Sequence, residues 1–113
     1  MERDGYVYIL SSKGKRLYVG VTSQLQIRVG QHKAKAKPSS FTARYNIDQL
    51  VYYEAFGTVL EAIARESRIK NMSRLEKIEL IVSLNPNWRD LSEDWGKPVP
   101  PFDEGRMRPP TGF

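Results

Sequence analysis

Two tyrosines, one arginine, one histidine and one glutamate are the side chains here whose types and spacing suit work on a phosphodiester. Tyr8 and Tyr18 each lie inside a short run of β-branched and aromatic residues, GYVYIL and RLYVGV. A phenol can give or take a proton, but with an ordinary pKa of about 10 it must be activated to act as a base near neutrality. Gly20 follows Tyr18 by two residues inside a strand pattern, which points to a bulge or a close backbone approach. Arg28 and His32 are four residues apart, so on a helix they share a face. A guanidinium can hold two non-bridging phosphate oxygens and offset the charge of a pentacoordinate transition state. The imidazole beside it can donate a hydrogen bond or shuttle a proton. Glu66 falls on an apolar helical stripe with Ala62, Ile63 and Ile69. A carboxylate placed there tends toward burial and needs a partner. That partner is either a divalent cation such as magnesium, which takes oxygen ligands and keeps several waters, or Lys70 one turn on, or a nearby arginine. Taken singly, each feature also has a plain structural explanation, since tyrosines are good strand residues and surface helices carry arginine and histidine.

These side chains must be positioned by a small set of elements. Gly5–Leu10 and Arg16–Val21 read as two strands joined by a loop of about five residues, a hairpin. Period-two alternation puts Tyr6, Tyr8 and Leu10 on one face and Val7 and Ile9 on the other. A loop over Ser11–Lys15 sets Tyr8 opposite Tyr18. Ser23 offers an N-cap for a helix with Leu25, Val29 and His32 on its stripe, running to about Ala36 before Pro38. Ser39–Asn46 reads as a loop and Ile47–Ala55 as a third strand. Thr58 with Glu61, and Ser73 with Glu76, are capping boxes opening helices over Val59–Met72 and Arg74–Leu84. Val59, Ile63 and Ile69 form the stripe of the first of these, and Leu75, Ile78, Ile81 and Val82 that of the second. Asn85-Pro86 ends the last helix. The segment Asn87–Trp95, carrying Trp88 and Trp95, folds back onto the core. The order is β-β-α-β-α-α, an α+β class in which the hairpin makes the sheet at least partly antiparallel. Residues 1–95 form one domain, and 96–113 read as a Pro/Gly-rich extended or disordered tail.

The chain has 113 residues, 13 acids and 18 lysines and arginines, for a net charge of +5. That length suits one domain. The absence of cysteine excludes disulfides, thiol nucleophiles, zinc ribbons and iron–sulfur clusters. With a single histidine, a multi-histidine metal site is excluded too. No apolar run reaches the roughly 18–20 residues that span a bilayer, and the polar N-terminus lacks a signal pattern. A cytoplasmic protein that does not enter membranes is expected. The positive charge is concentrated. Between Lys13 and Arg44 stand Lys13, Lys15, Arg16, Arg28, Lys33, Lys35, Lys37 and Arg44, with no acid among them. Such a segment favours an anionic partner, most often nucleic acid.

The motifs together resemble the GIY-YIG endonuclease superfamily. Tyr6-Val7-Tyr8 and Tyr18-Val19-Gly20 are similar to its paired signature, with Tyr6 in place of the glycine, as in small stand-alone bacterial members. The ten-residue step from Tyr18 to Arg28, the four-residue step to His32, and Glu66 in AIARESRIK follow the same pattern. Phe41-Thr42-Ala43-Arg44-Tyr45 and Asn85-Pro86-Asn87-Trp88-Arg89-Asp90-Leu91 are also similar to the small stand-alone proteins. The resemblance spans about residues 5–95.

It implies a small three-stranded antiparallel sheet flanked by helices, and magnesium-dependent hydrolysis of DNA, with manganese as a substitute ion. Tyr8 and Tyr18 would line the site and one would activate water. Arg28 would stabilise the phosphorane, His32 would assist proton transfer or phosphate binding, and Glu66 would hold the metal. Gly20 and Asn85 would support the site, and Lys13, Lys15, Arg16, Lys33, Lys35, Lys37 and Arg44 would grip the backbone. Some members carry a lysine where this chain has Val21, which leaves His32 to take the activating role. Structure-selective cleavage in DNA repair or recombination is the expected setting, with RNA a second candidate polymer and a dimer or partner protein supplying further contacts. Two other classes remain open: a non-catalytic nucleic-acid-binding module, and an adaptor using Trp88, Trp95 and the tail.

Overall fold

The run Gly5–Ser11 is apolar on both faces because it is the central strand. A computed structural model of the protein describes residues 4–95, and the tail 96–113 lies outside the described residues. Strand β1 (Gly5–Ser11) pairs antiparallel with β2 (Leu17–Thr22) on one side and with β3 (Gln49–Phe56) on the other, giving the order β2-β1-β3. Helix α1 (Leu25–Lys33) and the short α2 (Phe41–Arg44) follow β2, and α3 (Val59–Lys70) and α4 (Arg74–Leu84) follow β3. The α+β class with a three-stranded antiparallel sheet is as expected.

Alternation along β1 divides the core in two. Val7 and Ile9 join Val19, Val51, Tyr52, Ala62, Ile69 and Ile81 on the face covered by α3 and α4. Tyr8 and Leu10 join Leu25, Val29, Ile47 and Leu50 on the face covered by α1. Both tryptophans fold back as expected, Trp88 against the first cluster and Trp95 against the second. They are thereby half-buried in the molecule's own packing.

Several local expectations shift. Tyr8 lies opposite Gly20, and Tyr18 opposite Leu10, so the tyrosines are diagonal rather than paired. The cause is the turn: the loop is Ser12–Arg16, one residue later than expected. It is closed by Lys15 N–H to Ser12 O at 3.0 Å with Lys15 in the left-handed region at φ 67°. Ser23 does not cap α1. The helix starts at Leu25 after Gln24, whose N–H donates to the Thr22 hydroxyl at 3.0 Å. Helix α1 ends at Lys33, short of Ala36, and Phe41–Arg44 is helical where a loop was expected. Both predicted capping boxes are present at Thr58/Glu61 and Ser73/Glu76. On α3 only Ala62 and Ile69 are buried, while Val59 and Ile63 are exposed, as is Leu75 on α4.

Helix α3 sits close because Gly5 has no side chain. A Cβ at Gly5 would come within 2.9 Å of the Ala62 Cβ and 2.7 Å of Thr58 O. Arg65 then pins α3 to β3 through two nitrogens on Glu54, at 2.9 and 3.0 Å. The Tyr52 hydroxyl donates to the same carboxylate. Burial works against the Glu54 charge, but the Arg65 and Tyr52 hydrogen bonds hold its carboxyl below the usual range. Burial, then that carboxylate, pushes the Tyr52 phenol up to about 12.

The outer edge of β3 is covered by the segment after α4. Between Ile9 and Leu10 the β1–β3 register slips, leaving Val51 as the extra residue of a bulge. Asn85 donates to Val51 O at 3.0 Å and to Arg89 O at 2.9 Å, and accepts from Arg89 N–H at 3.1 Å. Asp90 accepts Leu50 N–H at 3.1 Å and Leu91 N–H donates to Leu50 O at 2.7 Å. These contacts satisfy edge groups that would otherwise be open to pairing. Asn85→Ala strands three backbone groups at once, so we expect a loss of about 2 kcal/mol in urea unfolding, with the m-value unchanged.

Candidate active site

Tyr8 is a core residue with a reactive end. Its ring is wholly buried and lies across Gly20, where a Cβ would meet the ring's Cζ and Oη at 2.5 Å. The close approach suggested by a glycine in a strand is therefore the Tyr8 ring itself. From this position the Tyr8 hydroxyl reaches His32 Nε2 at 3.1 Å. His32 Nδ1 is 2.9 Å from the Thr42 hydroxyl, which is 3.3 Å from the Ser40 hydroxyl. The result is a chain of polar groups running from β1 through α1 to α2. Tyr18 completes it, with its ring centroid 6.3 Å from Tyr8 and 5.5 Å from His32.

Each element has a local reason to be there. Leu25 and Val29 seat α1 on the sheet face that carries Tyr8, and His32 continues the same stripe. Ser40 caps α2 by accepting Ala43 N–H at 3.2 Å, which turns Thr42 inward to meet the imidazole. Thr42 and Ser40 were not singled out for a role from the sequence. The signal available was Ser40 as an N-cap, in a stretch read as loop.

The electrostatics separate the two reactive groups. Burial, then neighbouring Tyr18, pushes the Tyr8 phenol well above its ordinary value, against the opposing pull of Arg28, and the Glu66 carboxylate adds to the rise. Burial and then the Arg28 charge hold His32 below its usual 6.5. Near neutrality Tyr8 is thus a proton donor and His32 an uncharged acceptor. The matching arrangement has Tyr8 O–H donating to Nε2 and Nδ1–H donating to Thr42 Oγ1.

A pocket of about 600 Å³ opens beside this chain, lined by Tyr18, Arg28, His32, Phe41 and Thr42 with Lys35 and Lys37. The basic segment is therefore only partly at the site. Lys33 turns away, donating to Asp90 Oδ2 at 2.6 Å and to Asp48 O at 2.8 Å. These bonds tie α1 to the segment that covers β3. Despite its burial, the Lys33 and Ser92 hydrogen bonds hold the Asp90 carboxyl below its usual range. Lys15 stands over the Trp88 ring at 5.1 Å, and Arg16 over the Tyr45 ring at 4.2 Å. Arg44 lies 5.8 Å from the same Tyr45 ring, and Lys13 is exposed in the hairpin loop.

Glu66 and Asn85 stand apart from the pocket lining. Glu66 is on α3, its side chain 17% exposed, and Lys70 Nζ lies 3.2 Å from its Oε2. The pairing with Lys70 weighed from the sequence is thus present. Among the described residues no cluster of three or more His, Asp or Glu side chains could hold a metal. What Glu66 offers is one carboxylate, which fits magnesium in its common form, bound by one or two protein oxygens with phosphate and water completing the shell. Asn85 contacts the β3 edge and its own turn, a support of the sheet.

Comparison with known proteins places this geometry. The family model described as the GIY-YIG catalytic domain matches residues 4–79. A UPF0213 protein of Staphylococcus haemolyticus is 38% identical over 76 residues, 67% of this chain and 92% of that one. One from Natronomonas pharaonis is 36% identical over 81 residues, 72% of this chain and 94% of that one. The solution NMR structure of the UPF0213 protein BH0048 from Bacillus halodurans has 28% sequence identity and a TM-score of 0.50, covering 81% of this chain and 96% of that one. The chain belongs to the GIY-YIG family of nuclease domains. Among the described residues no helix is long and apolar enough to cross a membrane.

Because His32 is the single histidine, its imidazole resonances can be followed without ambiguity. We expect it to titrate below 6.5 by NMR, and to move upward in Arg28→Gln, where a neighbouring positive charge is gone. Gly20→Ala should displace the Tyr8 hydroxyl and change the His32 Nε2 resonance, while the far-ultraviolet circular dichroism stays as in the parent.

Proposed function

We propose that the chain is a metal-dependent endonuclease that hydrolyses DNA phosphodiester bonds, acting on branched or damaged DNA in repair or recombination. The observation that carries this reading is the hydrogen-bonded chain Tyr8–His32–Thr42 opening beside Arg28 into a pocket lined by further cations. Phosphodiester hydrolysis needs an aligned water, a route for its proton and compensation for phosphorane charge. Water held between Tyr8 and Tyr18 gives its proton to the Tyr8 oxygen as Tyr8 passes its own to His32 Nε2. The hydroxide oxygen attacks phosphorus, and the bond to the leaving oxygen breaks. The imidazolium, steadied by Thr42, later returns the proton to solvent or product. Arg28 binds the non-bridging oxygens. Lys35 and Lys37 attract the strand to the pocket.

Glu66 is the residue that would hold magnesium or manganese, exchanging Lys70 for the ion. When bound, the ion supplies Lewis-acid support for charged oxygens. The Glu66–Lys70 ion pair also supports a second reading, a nucleic-acid-binding module that does not cut.

The test is cleavage of duplex, single-stranded, nicked, flapped and branched DNA by the purified chain with magnesium or manganese. We expect cutting that EDTA abolishes, that falls at least 100-fold in Glu66→Gln and Arg28→Ala, and whose rate rises with pH along a limb below 6.5 set by His32. Binding of DNA should persist in Glu66→Gln, while relaxation enhancement by manganese in the protein–DNA complex is lost. Salt-sensitive binding with no cleavage of any substrate would leave the binding-module reading.

A further inference from the structure

One feature of the pocket wall is not used by phosphate chemistry. Phe41 is 47% exposed, although its neighbours Thr42 and Ala43 on the same short helix are buried. It lines the pocket together with Tyr18, Arg28 and His32. The Tyr45 ring, 40% exposed, braces it at a centroid distance of 4.9 Å and a tilt of 52°. Tyr45 is in turn fixed by Arg16 over its ring at 4.2 Å, with Arg44 at 5.8 Å. The exposed aromatic pair thus carries two arginines on its Tyr45 ring, and Lys35, 3.9 Å from Asp48, and Lys37 line the same pocket as Phe41.

We infer that Phe41 is a stacking surface for one unpaired nucleobase of the strand whose phosphate lies against Arg28. This rests on the nucleic-acid reading of the pocket and adds a substrate class to it: a strand with at least one base out of its duplex beside the bond to be cut. Charge complementarity selects the occupant. An apolar protein partner gains nothing from these cations, whereas a polynucleotide presents a flat aromatic base and a phosphate within one residue of each other. In a duplex both faces of each interior base are already covered by neighbours, so a lone protein ring can be used only by a base that has left the stack. The position suits this role, because Phe41 directly precedes Thr42, whose hydroxyl is 2.9 Å from His32 Nδ1. Tyr45, itself held by Arg16 at 4.2 Å from its ring centroid, packs against Phe41 and gives it a backing.

The experiment uses the wild-type chain in EDTA, where no cutting occurs, and short oligonucleotides carrying 2-aminopurine. One is single-stranded, the second is the same strand in a duplex, and the third replaces the probe with an abasic residue and carries an end label for anisotropy. We expect quenching of 2-aminopurine on binding the single strand. Phe41→Leu should weaken that complex about tenfold, within the range set by base–aromatic stacking, while duplex affinity changes less than twofold. Phe41→Trp should restore it, and the abasic strand should bind both variants equally. Equal effects of Phe41→Leu on single strand and duplex, or none on either, would overturn the inference and leave the nucleic-acid reading standing. Failure of the wild-type chain to bind any of the oligonucleotides at low salt would overturn both. Phe41 is exposed, so a matching thermal melt of each variant shows that folding is not the cause.

Discussion

The packing of Tyr8 across Gly20 is the constraint on which the rest of the structure depends. Tyr8 stands in the middle of the central strand, so its ring belongs to the core and its buried hydroxyl meets His32 at the core's edge. A side chain at position 20 would occupy the space of the ring. The glycine thus weakens a strand in one respect and permits its most consequential contact in another. The burial that secures the ring also raises the phenol's hold on its proton. The 3.1 Å contact with His32 gives that buried hydroxyl its polar partner. Packing and chemistry are here one arrangement.

The remaining elements hold that contact in register. Leu25 and Val29 seat α1, and Thr42 fixes the far side of the imidazole. Lys33, on the last turn of α1, ties the helix to Asp90, and Asp90 itself holds the edge of β3. The β3 edge and the helix that carries His32 thus share one carboxylate. On the opposite face the close approach of α3 at Gly5 and the Arg65–Glu54 pair set the height of α3 over β1 and β2, and with it the place of Glu66. The charges divide accordingly. Some cations of the basic segment build the molecule, and others face the pocket. Net charge alone could not have separated them.

Much of the fold was legible because it follows from short-range periods. Alternation placed Tyr6, Tyr8 and Leu10 on one face, and a spacing of four put Arg28 and His32 on one helix face. The two capping boxes were readable because a cap is completed within four residues. Expectations failed where a local pattern met a distant neighbour. Ile63 follows the apolar stripe of α3 but is exposed, since Ala62 is the residue that meets Gly5. Ser39–Asn46 looked like loop because a single helical turn is too short to show periodicity.

The sequence by itself determined the kind of residues available, the order of all the elements but the short α2, the antiparallel hairpin and the family. Only the tertiary structure decided that Tyr8 faces Gly20 rather than Tyr18, that Thr42 orients His32, that Lys33 is spent on Asp90 and that Phe41 is left open on the pocket wall. The reason is physical. Helix and strand periods are properties of the backbone and act over a few residues, so they can be read along the chain. Strand register, the partner of a cation and the exposure of a ring depend on which distant surfaces meet, and a one-residue change in a turn is enough to alter all three.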